Sequence, residues 1–241
     1  MHTVRTGPLM GLAAQVLLLA ALTYSAGLGT VAWLTGLVYG CVVAAVLSVG
    51  LSRAGAVALG PADRVTLARA TLVGGVTALT AEAFARPVPV ALLASLTAVA
   101  LALDAVDGKV ARHTGTVSAL GARFDMEVDA FLLLVLSGYA ARSLGLWVLA
   151  IGTMRYGYVA AMWVLPWLRV PLPPRYWRKV VAATQGVVLL VVAAGVLPRW
   201  LAAAAALAAL ALLVESFGRD VTWQWRHRVP GPVPVLATTR Q

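Results

Sequence analysis

Of the nine acidic residues in this 241-residue chain, five (Asp104, Asp107, Asp125, Glu127 and Asp129) fall between positions 104 and 129. Asp104 and Asp107 are three apart, and Asp125 and Asp129 are four apart, so each pair shares one face of a helix. Two helices joined by a short loop bring two such faces together. Four converging carboxylates build an all-oxygen site of the kind that hard divalent cations, Mg²⁺ or Mn²⁺, prefer. Between the pairs, Gly108 leaves room for a close approach, Ala111 is small, and Arg112 offers a planar fork to phosphate oxygens. Gly121 lets the second helix come near the first. This set suits metal-assisted handling of a phosphate-containing ligand.

The elements that must position these residues are read from hydropathy. Hydrophobic residues make up 61% of the chain and charged ones 12%, against roughly 25% charged in a soluble domain. Apolar runs of about 20 residues recur, each long enough to cross a hydrocarbon core of about 30 Å. They predict an all-α, polytopic integral membrane bundle of about eight transmembrane helices, near 9–28, 30–51, 65–84, 88–107, 119–142, 145–167, 177–197 and 199–217. The informative polar breaks are 52–64, 108–118 and 169–178, the last marked by Pro171, Pro173 and Pro174. The acidic pairs then end the fourth helix and begin the fifth, with 108–118 as the loop between them. Carboxylates at membrane level cost about 2.5–3.5 kcal/mol each on insertion scales, so such a cluster calls for cations or water. Arg5 precedes the first apolar run, which continues without a clear cleavage site and reads as a retained helix.

The formal net charge of +10 does not point to nucleic acid, because the basic residues stand at the ends of apolar runs instead of lining one polar face. Arg53, Arg64, Arg69, Lys109, Arg112, Arg123, Arg169, Arg175, Arg178 and Lys179 fall on the side of both termini, whereas Arg86, Arg142 and Arg199 fall on the other. By the positive-inside rule the termini and the 108–118 segment face the cytoplasm, with the chain multi-pass in the cell membrane. Cys41, the single cysteine, excludes an internal disulfide and a cysteine metal cluster. His2, His113 and His227 have no metal-ligand spacing.

The full spacing, Asp104-x2-Asp107-Gly108-x2-Ala111-Arg112-x8-Gly121-x3-Asp125-x3-Asp129, resembles the signature of the CDP-alcohol phosphotransferase family at every fixed position. The resemblance implies a membrane enzyme of phospholipid biosynthesis. Such an enzyme moves a phosphoalcohol, typically phosphatidyl, group from a CDP-linked donor such as CDP-diacylglycerol to an alcohol or phosphorylated polyol, releasing CMP. It further implies two divalent metal ions, Mg²⁺ or Mn²⁺, on Asp104, Asp107, Asp125 and Asp129. Asp104, Gly108, Ala111 and Arg112 would contact CDP, with Ser118 where members can carry a hydroxyl near the nucleotide, and Asp129 would be the general base. The family's six-helix core would occupy 53–222, leaving two N-terminal helices in 1–52 and a cytoplasmic tail in 223–241. The two extra helices leave open a homodimer contact or a simple anchor.

Weaker similarities extend the resemblance. The segment from Pro61 to Arg69, with Thr66, is similar to the motif that opens the first core helix, although Asp63 replaces the usual Asn and could itself be a helix cap. Arg155 interrupts an apolar span and stands where the family places an arginine at the acceptor site; the other reading pairs it with a carboxylate such as Glu215. Lys179 and Gln185 resemble a pattern of glycerophosphate-using members, but Val181 and Ala182 depart from it, which leaves the acceptor open. Two other classes use similar composition. A cation transporter or channel would explain the carboxylates but not the Gly, Ala and Arg positions, and a catalytically silent scaffold would explain the fold alone.

Overall fold

The computed structural model describes residues 6–53, 60–114 and 119–228, with backbone alone at 61, 62, 105, 107–114 and 119. Every regular element among the described residues is a helix, with eight long ones: α1 Thr6–Ala26, α2 Thr30–Arg53, α3 Pro61–Ala83, α4 Val90–Thr114, α5 Ala119–Leu144, α6 Leu149–Val164, α7 Tyr176–Ala193 and α8 Arg199–Arg226. Short 3₁₀ turns, Leu146–Val148 and Pro166–Arg169, flank α6. The apolar runs therefore mark the helices well. Two ends differ from expectation. α4 continues through the motif to Thr114, so 108–114 is helix and not loop, and α8 continues past 217 to Arg226, into the segment read as tail. In both places polar residues extend a helix that the apolar pattern had closed, because hydropathy reports burial and not backbone hydrogen bonding.

Four helices, Thr6–Ala26, Thr30–Arg53, Tyr176–Ala193 and Arg199–Arg226, are long and apolar enough to cross a membrane, and Val90–Asp104 is a shorter apolar stretch. α6 has only 16 residues, and α3 and α5 carry ionisable residues in their interiors. The chain is a membrane protein, and composition singles out four of its helices as spans.

α3 is the central element, packed against α1, α2, α4 and α5. Its Val73, Val76, Ala78 and Leu79 have no exposed surface. The helix starts at Pro61, whose missing N–H is an orphan at this position in any case. Asp63 does cap this start, but from the third helical position: its carboxylate accepts the Gly60 N–H at 3.1 Å. Small residues let α1 and α2 approach closely, as expected where lipid gives no hydrophobic drive between helices. A Cβ at Gly36 would lie 2.7 Å from Leu19, and one at Gly74 would lie 2.3 Å from the Gln15 amide. The α1–α2 turn passes through Gly27 at φ +65°, and the next N–H but one, that of Gly29, donates to the buried Glu82 carboxylate at 2.6 Å. Arg86 pairs with the same carboxylate.

The C-terminal helices are joined by side-chain amides. Gln185 on α7 donates to the Ala209 carbonyl on α8 at 2.9 Å, and Gln224 on α8 donates to the carbonyls of Leu168 and Val170 at 2.7 and 2.8 Å. Gln185 is thus fully buried as a cross-helix tie. Asp220 of α8 is buried and pairs with Arg178 of α7 at 2.8 Å.

The α5–α6 contact has no slack: a Cβ at Gly152 would lie 2.4 Å from the Leu134 Cα, and backbone cannot swing aside. Gly152→Ala should therefore cost about 1–3 kcal/mol, the usual range for overpacking. Gly157→Ala on the same helix meets open space and should be neutral or stabilising by up to about 1 kcal/mol. Thermal unfolding of the two detergent-solubilised variants side by side measures the contrast.

Candidate functional site

Three helices converge on one guanidinium. Arg69 of α3 is completely buried, and its Nη1 donates to Asp104 Oδ1 of α4 at 2.5 Å. Its Nη2 lies 2.6 Å from Asp125 Oδ1 and donates to Asp129 Oδ1 at 2.8 Å, both on α5. It also reaches the Asp125 backbone carbonyl at 3.3 Å. The carboxylates are open on their other side, with side-chain exposures of 41%, 33% and 43% for Asp104, Asp125 and Asp129. The cluster is thus closed by a cation at its base and accessible at its mouth.

The helical spacing explains half of this arrangement. Asp125 and Asp129 are one turn apart on α5 and present their carboxylates to the same neighbour. Asp104 reaches them across the α4–α5 junction. Oxygens of the three carboxylates lie within 4.8 Å of one another, so among the described residues this group could hold a metal ion. A set of carboxylate oxygens alone, at that separation, fits a hard divalent cation.

Of the other motif residues, Asp107, Gly108, Ala111 and Arg112 stand on the continuous backbone of α4, three to eight residues beyond Asp104. Their side chains lie outside the described residues, as does all of Ser118. Gly121 lies in the first turn of α5. Thr66 is buried one turn before Arg69.

Arg155 does not pair with Glu215. Its Nη2 donates instead to Glu127 at 2.5 Å, and Glu127 stands between Asp125 and Asp129 in sequence, on the opposite side of α5. Glu215 is engaged by Arg219 and by the Trp177 indole, which donates at 3.1 Å. Lys179 is exposed on α7.

Arg69 is the residue whose weight the sequence understates. Counted there among the basic residues of one membrane side and as part of a helix-opening motif, it is instead the countercharge of the cluster. The signal was present: Arg69 is the one charge in an apolar stretch from Val65 to Ala81, and such a residue requires a partner.

A family model described as CDP-alcohol phosphatidyltransferase matches residues 59–214, more than half of the chain. The chain belongs to this family. Its name describes transfer of a phosphatidyl group from a CDP-alcohol, and membership makes the chain a transferase of phosphate-linked groups. The family match begins just before α3 and ends within α8, so it contains Arg69 and the whole carboxylate cluster and leaves α1 and α2 outside. No curated protein and no solved structure matches the chain.

Removing a fully buried partner from an ion-pair network leaves uncompensated charge and costs about 3–5 kcal/mol. Arg69→Gln should therefore lower the melting temperature strongly in EDTA. Saturating Mg²⁺ should restore much of the loss, because a divalent cation supplies charge to the same oxygens. Melting curves of wild type and variant with and without metal check this; an equal loss in both conditions would show that Arg69 does not act as the countercharge.

Proposed function

We propose that the chain transfers a phosphatidyl group from a CDP-linked lipid, such as CDP-diacylglycerol, to an alcohol acceptor and releases CMP. The observation that carries this reading is the gathering of Asp104, Asp125 and Asp129 from two helices around Arg69, inside the segment matched by the family. Asp104, Asp125 and Asp129, with Asp107 next on α4, would hold Mg²⁺ or Mn²⁺, two ions in our reading. Bound metal would neutralise the donor pyrophosphate and polarise the phosphorus under attack.

The protein's own residues then do the following. Arg69 holds one oxygen of each of the three described carboxylates and leaves the open side to ligand. Gly108, Ala111 and Arg112 on α4, and Ser118 beyond it, receive the CDP moiety. Asp129, 43% exposed while anchored through Oδ1, takes the proton of the acceptor hydroxyl as its oxygen bonds to the β-phosphorus. The bond from that phosphorus to CMP breaks, and Arg112 stabilises the departing charge. Arg155 serves the acceptor side: Glu127 fixes it beside α5, and its buried Nε has no hydrogen-bond partner. Lys179 is the second acceptor-side cation. A cation-conducting path is disfavoured, since ions would have to pass the fully buried guanidinium that closes the base of the carboxylate cluster.

In the bilayer, we propose that all eight helices cross, with both termini and the 108–118 segment on the cytoplasmic side of the cell membrane. The 26 residues of α5 extend about 39 Å, enough to cross despite its charges. Residues 53–222 would form the catalytic core and 223–241 a cytoplasmic extension.

Transfer from CDP-diacylglycerol to a panel of alcohols, followed by product mass spectrometry, should detect CMP and one preferred lipid product, lost in EDTA and restored by Mg²⁺ or Mn²⁺. Full turnover in EDTA would contradict the metal assignment. Asp129→Asn should lower turnover by about 10²–10⁴-fold, the usual share of general base catalysis, while weakening metal-dependent CDP binding far less than Asp104→Asn. Near wild-type turnover in Asp129→Asn would move the proton elsewhere. For topology, cysteines placed at Thr114 and Arg142 in a Cys41→Ala background should label from opposite sides of sealed vesicles.

A further inference from the structure

Helices α1 and α2 fall outside the matched segment, yet they touch the helices that carry the site at its own level. Tyr39 of α2 stacks on Phe131 of α5, with ring centroids 4.8 Å apart and planes inclined by 23°. Phe131 stands two residues after Asp129. With Phe124 and Val128, both buried, it forms an apolar row at i, i+4 and i+7, adjacent on the helix to the row of Asp125 and Asp129. The Tyr39 hydroxyl is itself buried.

On its other side Tyr39 faces a small cavity that it lines together with Gln15 of α1 and Leu67, Ala70 and Thr71 of α3. Those three α3 residues flank Arg69 in sequence. Gln15 is 1% exposed and is clamped between Gly40 and Gly74. Lower on α2, a Cβ at Gly50 would lie 2.4 Å from Leu120, so α2 also bears on the first turn of α5. The hairpin thus contacts α3 around the guanidinium and α5 around the carboxylates.

Three carboxylates facing one guanidinium repel one another more than a single positive charge offsets. Their spacing has to be held by what presses α5 toward α3. We infer that the α1–α2 hairpin is this wall, and that Tyr39 is a positioning residue that fixes, through Phe131, the turn of α5 bearing Asp125 and Asp129. The inference rests on the metal-site reading given above. It assigns the two helices a part in the site beyond anchoring.

The test measures Mn²⁺ binding to the full-length detergent-solubilised protein by the loss of the free-ion electron paramagnetic resonance signal, alongside melting temperature. Tyr39→Leu keeps apolar bulk and loses the stack. It should raise the half-saturating Mn²⁺ concentration about tenfold, the low end of the effect of losing support around metal ligands. Tyr39→Phe keeps the ring and should bind like wild type. Leu19→Ala, in the same hairpin but facing Gly36 and Ala78, should lower the melting temperature without moving Mn²⁺ affinity. If Tyr39→Leu does not fold, Phe131→Leu removes the same stack from the other side, with the same expected tenfold shift. Wild-type affinity in the stack-deficient variant, or an equal shift in Leu19→Ala, overturns the positioning role. A wild-type protein that binds no Mn²⁺ overturns the metal reading itself, and this inference with it.

Discussion

The arrangement of this molecule depends on one buried charge. A fully desolvated guanidinium is costly unless its hydrogens are bonded to ionised oxygen, and Arg69 meets that requirement with aspartates from two other helices. The same contacts make the aspartates tolerable to one another. Charge balance, burial of α3 and convergence of α4 with α5 are therefore one constraint seen from three sides. A helix packed centrally among four others can carry an arginine only where acids meet it, and acids can gather near membrane depth only where a cation meets them.

Packing around this centre is made close by small residues instead of large interlocking ones. Gly36, Gly74 and Gly152 bring helices to distances at which a methyl group would collide with a neighbour. Dispersion and interhelical hydrogen bonds, not hydrophobic drive, reward such approach in lipid. Away from the carboxylates, buried amides hold helices together, with Gln185 and Gln224 each satisfying backbone carbonyls on a different segment. Polar groups thus tie both halves of the bundle, a charged cluster in one half and buried amides beside the Arg178–Asp220 pair in the other.

Much of the fold was legible because a membrane-length apolar run leaves the backbone few options. All eight helices lie where the runs lie. The motif spacing likewise located Asp104, Asp125 and Asp129 on helix faces able to meet. Sequence spacing did not show that Arg69 sits among them, since its partners are 35, 56 and 60 residues away and no local pattern encodes that distance. Arg155 illustrates the same limit. An isolated arginine in an apolar run demands a carboxylate, but whether it is Glu127 or Glu215 is decided by how α6 lies on α5. The end of α4 was misplaced for a different reason, because Asp, Lys and Arg are acceptable helix residues once burial is no longer required.

The unbroken end of α4 limits how the motif can tolerate change. Because α4 runs unbroken from Val90 to Thr114, positions 104 to 112 are graduations on a rigid ruler, with about 1.5 Å and about 100° separating neighbours. One inserted residue would rotate everything after it by more than a quarter turn, and no loop lies within those positions to absorb the error. Substitutions there can be graded by chemistry, but insertions and deletions cannot. The fixed intervals from Asp104 to Arg112 are in this sense a property of helical screw symmetry.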